Sequence, residues 1–109
     1  MSEHLPEHDW KRWQQLAPTL LNRYCESVVA NALASAARES SGHEKFQALY
    51  RFVDESNENI AIVFDNRRRS SALLQIAAAV IRGMMSESEL NSFSEGTQAR
   101  IRRIAGIGD

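Results

Sequence analysis

The sequence predicts an all-α protein, a compact bundle of about five helices, and three observations carry that prediction. Apolar residues recur every three or four positions along almost the whole chain. The breaks in that pattern hold helix-stop and helix-start chemistry, Gly42 and Gly83 as stops and Ser86 with Glu89 as a start. A segment near the middle, residues 72–81, is apolar on nearly every side, as a central helix would be.

The first element runs from about Asp9 to about Arg38. Trp10, Trp13, Ala17, Leu20, Leu21, Tyr24, Val28 and Ala32 form one stripe at helical spacing. Pro18 removes one backbone donor inside it, but the stripe stays in phase across the proline, which favours a kink over a break. Residues 39–43 read as a stop and turn around Gly42. A second helix follows over 43–54, with Phe46, Leu49, Tyr50 and Val53 expected on its buried face.

Residues 59–64 allow two readings. The run Ile60, Ala61, Ile62, Val63, Phe64 is β-branched enough for a strand, which would have to pair across a dimer. Ile60, Ala61 and Phe64 also continue the helical face of Phe46 and Val53, and that periodicity favours helix. As a strand, the order strand, helix, helix over 59–105 would resemble the ribbon-helix-helix repressors. Neither alternate face, Ile60, Ile62 and Phe64 or Ala61 and Val63, carries a group able to bond a base edge, so no family is assigned.

Ser70 or Ser71 is the expected cap of the apolar helix 72–81, which Gly83 ends. Ser86 and Glu89 open a short helix with Leu90 and Phe93 inward, and Ser94 is the expected cap of the last helix, whose inner face is Thr97, Ile101 and Ile104. The 109 residues, 43% apolar and 25% charged, are expected to form one domain, with 1–8 and 106–109 disordered.

The charge pattern and the apolar residues set the functional expectations. Formal net charge is −1, but residues 67–109 carry seven arginines against four acidic residues, and the rest of the chain is acidic. Arg67, Arg68, Arg69, Arg100, Arg102 and Arg103 are the candidate contacts of a DNA-binding regulator, the alternative function. The favoured function is a small cytoplasmic, non-catalytic interaction or regulatory protein that acts as a helical homodimer and docks another macromolecule. Trp10, Trp13, Met84 and Met85 are its candidate anchors toward an unidentified protein. Ala77, Ala78 and Val80 are the candidate dimer contacts, because a helix as apolar as 72–81 is hard to cover within one small chain.

Catalytic chemistry finds little support. Cys25 has no histidine predictably near it, and it allows no internal disulfide. His4 and His8 straddle Pro6 near the chain's start, Asp54, Glu55 and Glu58 lack the rest of a calcium loop, and the glycines match no phosphate-binding fingerprint. No metal, cofactor or small-molecule substrate is therefore expected. The start of the chain has no signal-peptide pattern and 72–81 is half the length of a membrane span, so neither a leader nor a membrane partner is expected.

Overall fold

The computed structural model describes residues 5–38 and 40–107. Five helices follow one another, α1 (Glu7–Ala36), α2 (Gly42–Phe64), α3 (Arg69–Ile81), α4 (Glu87–Leu90) and α5 (Glu95–Ala105), and no described residue lies in a strand. α1 continues unbroken through Pro18, as the phase of its stripe predicts. Its N-terminus is better ordered than the sequence suggests. Leu5 is buried, and its carbonyl accepts a 2.8 Å hydrogen bond from Arg69 Nε, so residues 5–8 belong to the folded body. Residues 1–4 and 108–109 of the expected disordered ends lie outside the described residues, His4 among them.

α2 settles the ambiguous segment as helix. It opens with a capping box, in which the Ser41 hydroxyl accepts from Glu44 N–H while the Glu44 carboxylate accepts from Ser41 N–H. It then runs on through the polar residues 56–59, held by one bond within the helix and by tertiary bonds at Asn59. Ser56 donates back to the Phe52 carbonyl, and Asn59 donates to the Tyr24 hydroxyl while accepting from Arg82 Nε at 3.0 Å. The strand reading of 59–64 is overturned, since the segment is the last turns of α2 and its backbone N–H groups bond within the helix.

Of the remaining helix starts, α4 is capped as expected, whereas α3 and α5 are not. α3 begins at Arg69 with no side-chain cap, and Ser71 instead donates to the Asn66 and Arg68 carbonyls one turn back. Gly83 takes φ 71° after α3, and the bonds from Gly83 N–H to Val80 O and from Met84 N–H to Ala79 O complete the helix stop. Ser86 and Glu89 form the predicted capping box of α4. Ser94 does stand at the N-cap of α5, but the cap itself comes from α1. The Asp9 carboxylate, with no exposed surface, accepts from Ser94 N–H (2.8 Å), the Ser94 hydroxyl (2.7 Å) and the Thr97 hydroxyl (2.7 Å).

The packing divides the molecule into a head and an arm. The core of Leu5, Trp13, Leu16, Leu20, Val63, Phe64, Ile76, Phe93 and Ile101 with their neighbours draws on every helix but comes only from residues 5–20 and 63–101. No described residue from 21 to 55 is fully buried. Beyond Tyr24, α1 and α2 pair with each other as an antiparallel hairpin projecting from the head, which accounts for the 55 × 29 × 21 Å dimensions. Arg23, donating to both Glu89 carboxylate oxygens at 2.7 and 2.9 Å and to the Met84 carbonyl, ties the base of the arm to α4.

Candidate interaction surfaces

The hairpin arm has a narrow seam and a broad apolar side. Val28, Ala32 and Ser35 of α1 and Lys45, Leu49 and Phe52 of α2 are half-buried and mark the line where the helices touch. Val29 and Leu33 each follow a seam residue of α1 by one position, and Phe46, Tyr50 and Val53 each follow one of α2. One residue is about 100° of helix rotation, and in an antiparallel pair of right-handed helices the same step turns both sets toward the same side of the hairpin. These five side chains are 59%, 69%, 67%, 67% and 48% exposed in that order. The opposite side, with Asn31, Glu44, Arg51, Glu55 and Glu58, is polar.

This reverses the expectation that Phe46, Tyr50 and Val53 face the core. Their helical spacing is real, but among the described residues no third element lies at the level of the arm to cover them. Helical periodicity reports that a face is apolar, and it does not report what lies against that face.

The residues that the sequence offered as anchors lie elsewhere. Trp13 has no exposed surface and stacks on Phe64 with ring centroids 6.4 Å apart, and Met84 is buried. Trp10 and Met85 are half-buried against the same core. The candidate dimer contacts are in a similar position. Ala77 is buried, and Ala78 and Val80 pack half-buried against the core, so this chain covers most of α3 itself. The large apolar residues that α3 leaves open are Leu74, which lines a groove with Ile62 of α2, and Ile81.

The arginines separate into two groups. Arg69 bonds the Leu5 carbonyl, and Arg102 bonds Glu87 and Asn91, so two of the six candidates are structural. Arg12, Arg23 and Arg82 are likewise committed, to Ser92, to Glu89 with the Met84 carbonyl, and to Asn59 with the Ala78 carbonyl. Arg67, Arg68, Arg100 and Arg103 make no side-chain hydrogen bond or ion pair among the described residues. Arg100 and Arg103 line a shallow groove with Ser70, Leu73, Leu74 and Ile104, and Arg68 lines an adjoining one that shares Ser70 and Leu74. The fold thus brings Arg68, from the first sequence cluster, to the same face as Arg100 and Arg103, from the second, where α3 starts and α5 ends, with Arg67 next to Arg68 in the chain.

Other chemistry is sparse. Cys25 is a half-buried free thiol, and among the described residues no three His, Cys, Asp or Glu side chains gather as metal ligands. Among the described residues no helix is long and apolar enough to cross a membrane. Glu89 has a strongly perturbed carboxyl, held down at about 2 first by the Arg23 guanidinium and also by its bonds to Ser86, and its part is to fasten α4 to α1. Comparison with known proteins finds no matching family model, no matching curated protein and no matching solved structure.

Proposed function

We propose that this protein is a cytosolic, non-catalytic interaction protein that works as a homodimer, with the apolar side of the α1–α2 arm as the dimer contact. The observation that supports this most is the set of five large apolar side chains, Val29, Leu33, Phe46, Tyr50 and Val53, standing open to solvent on one side of a hairpin that has no core of its own. Together they leave roughly 500–600 Å² of apolar surface, at the upper end for a patch on a monomer and approaching the ~800 Å² per partner of a standard interface. A two-helix hairpin is also short of packing partners, and two such hairpins face to face make a four-helix bundle.

A twofold axis perpendicular to the arms sets two copies antiparallel and lays the same apolar side of each against the other, leaving the polar side of each arm in solvent. The exposed heads remain free to dock a further macromolecule.

Sedimentation equilibrium of the full chain tests this reading. The expected mass is twice the 12.3 kDa of one chain at tens of micromolar protein. Replacing both Phe46 and Tyr50 by Glu is expected to weaken the dimer at least ~100-fold, since it buries unpaired charge in the contact, while leaving the helical circular dichroism intact. Ile81→Glu, on the open edge of α3, is expected to leave the mass unchanged. A wild-type monomer, or a dimer broken by Ile81→Glu and not by the arm variant, would overturn it.

A further inference from the structure

We infer that the face formed by the start of α3 and the end of α5 binds the phosphate backbone of double-stranded nucleic acid. This goes beyond the dimer reading and does not depend on it. The argument rests on how the arginines are sorted. Five of the eleven arginines, Arg12, Arg23, Arg69, Arg82 and Arg102, are bound to groups that hold the fold together, and two, Arg38 and Arg51, lie out on the arm. Of the four left over, Arg68, Arg100 and Arg103 line adjoining grooves although they come from segments about thirty residues apart in sequence, and Arg67 directly precedes Arg68. No carboxylate lines the groove between Arg100, Arg103 and Ser70. Asp65 is the one carboxylate lining the adjoining groove of Arg68, so the face keeps an excess of positive charge, which a bound polyanion neutralises.

The chemistry of the face fits phosphate. All four cations are guanidinium groups, whose planar fork donates two parallel bonds to phosphate oxygens. Beside them α3, thirteen residues long, starts with no side-chain cap and no acidic residue in its first turn, so its free N–H groups and the Ser70 hydroxyl add donors to the same surface. No aromatic side chain lines either groove, and aromatic platforms are what single-strand binders use to stack bases. The contact is therefore to the duplex backbone, and it carries no reading of base sequence. Leu74 and Ile104 between the arginines would also suit an acidic amphipathic helix, which makes an acidic polypeptide the competing partner.

Fluorescence anisotropy of a labelled random-sequence DNA duplex, titrated with the full chain, tests the inference. Binding through about four phosphates per chain predicts an affinity that falls about 100-fold between about 50 and 200 mM salt. Replacing Arg67, Arg68, Arg100 and Arg103 by Gln is expected to abolish binding with unchanged circular dichroism. The milder pair Arg68→Gln and Arg100→Gln is expected to lower the salt slope by about two, which keeps the test decisive if the quadruple variant does not fold. The monomeric arm variant is expected still to bind the duplex, so failure of the dimer reading and failure of this one are distinct results. Absence of duplex binding even at low salt, binding untouched by the arginine replacements, or binding of poly-glutamate without binding of duplex would each overturn it.

Discussion

Asp9→Ala is expected to destabilise the fold by about 3 kcal/mol, which for a domain of this size lowers the melting temperature by on the order of 15 °C. The carboxylate is fully buried and, besides its contact with the neighbouring His8, accepts three hydrogen bonds from α5 and its cap, two from Ser94 and one from Thr97, so alanine strands an N–H and two hydroxyls at the start of α5. It also removes the negative charge that faces the positive end of that helix. Asp9→Asn keeps the shape but loses the charge and turns an N–H₂ toward a donor, and its expected cost is about half as large. Denaturant titration followed by circular dichroism measures both. An alanine variant within about 0.5 kcal/mol of wild type would mean that the cap contributes little.

The same group, with Glu89, sets the response to acid. Burial alone pushes the Asp9 carboxyl up, but the bonds from Ser94, Thr97 and His8 outweigh it and bring it below its ordinary value. Glu89 is held at about 2, against 4.5, chiefly by Arg23. A carboxyl depressed in the folded state binds fewer protons there than in the unfolded chain, so its contribution is complete above the ordinary carboxylate range and is lost as pH falls. Stability is accordingly expected to decline from about pH 4.5 toward pH 2, and Glu89→Gln to flatten that decline.

Trp13→Ala is expected to cost about 3–5 kcal/mol, the range for removing a large aromatic from a packed core. The indole has no exposed surface and stacks on Phe64, yet its Nε1–H is buried without an acceptor. Trp13→Phe keeps the stacked ring and discards that unsatisfied donor, so the two terms offset and its expected cost is within about 1 kcal/mol. Thermal denaturation of the two variants separates a core role from an anchor role. A tryptophan that served a partner would leave stability unchanged on truncation, and a stable Trp13→Ala protein would contradict the packing described.

The sequence made the helices legible and their surroundings only in part. The stripe of α1, the capping box at Ser86 and Glu89 and the stop at Gly83 are local chemistry, and each stands where spacing placed it. The strand alternative at 59–64 arose because β-branched residues favour strands, but the deciding contacts, Asn59 with Tyr24 and Arg82, are tertiary and carry no local signal. Asp9 as the cap of α5 spans 85 residues and was invisible for the same reason. The arm was misjudged through a general ambiguity. Phe46, Tyr50 and Val53 have the spacing of a buried face whether the cover comes from the same chain or from another. The arginine clusters were visible as composition, but only the three-dimensional bonds distinguish Arg69 and Arg102, which hold the fold, from the four that remain open.

Amide hydrogen exchange of the full chain as a function of protein concentration tests the arm contact most directly. If two arms pack into a four-helix bundle, the amides of residues 28–53 gain protection as concentration rises through the dissociation constant, while those of the core around Trp13, Ile76 and Ile101 do not change. The Phe46→Glu, Tyr50→Glu variant removes that dependence. Exchange in the arm that is the same at every concentration would contradict self-association through this face.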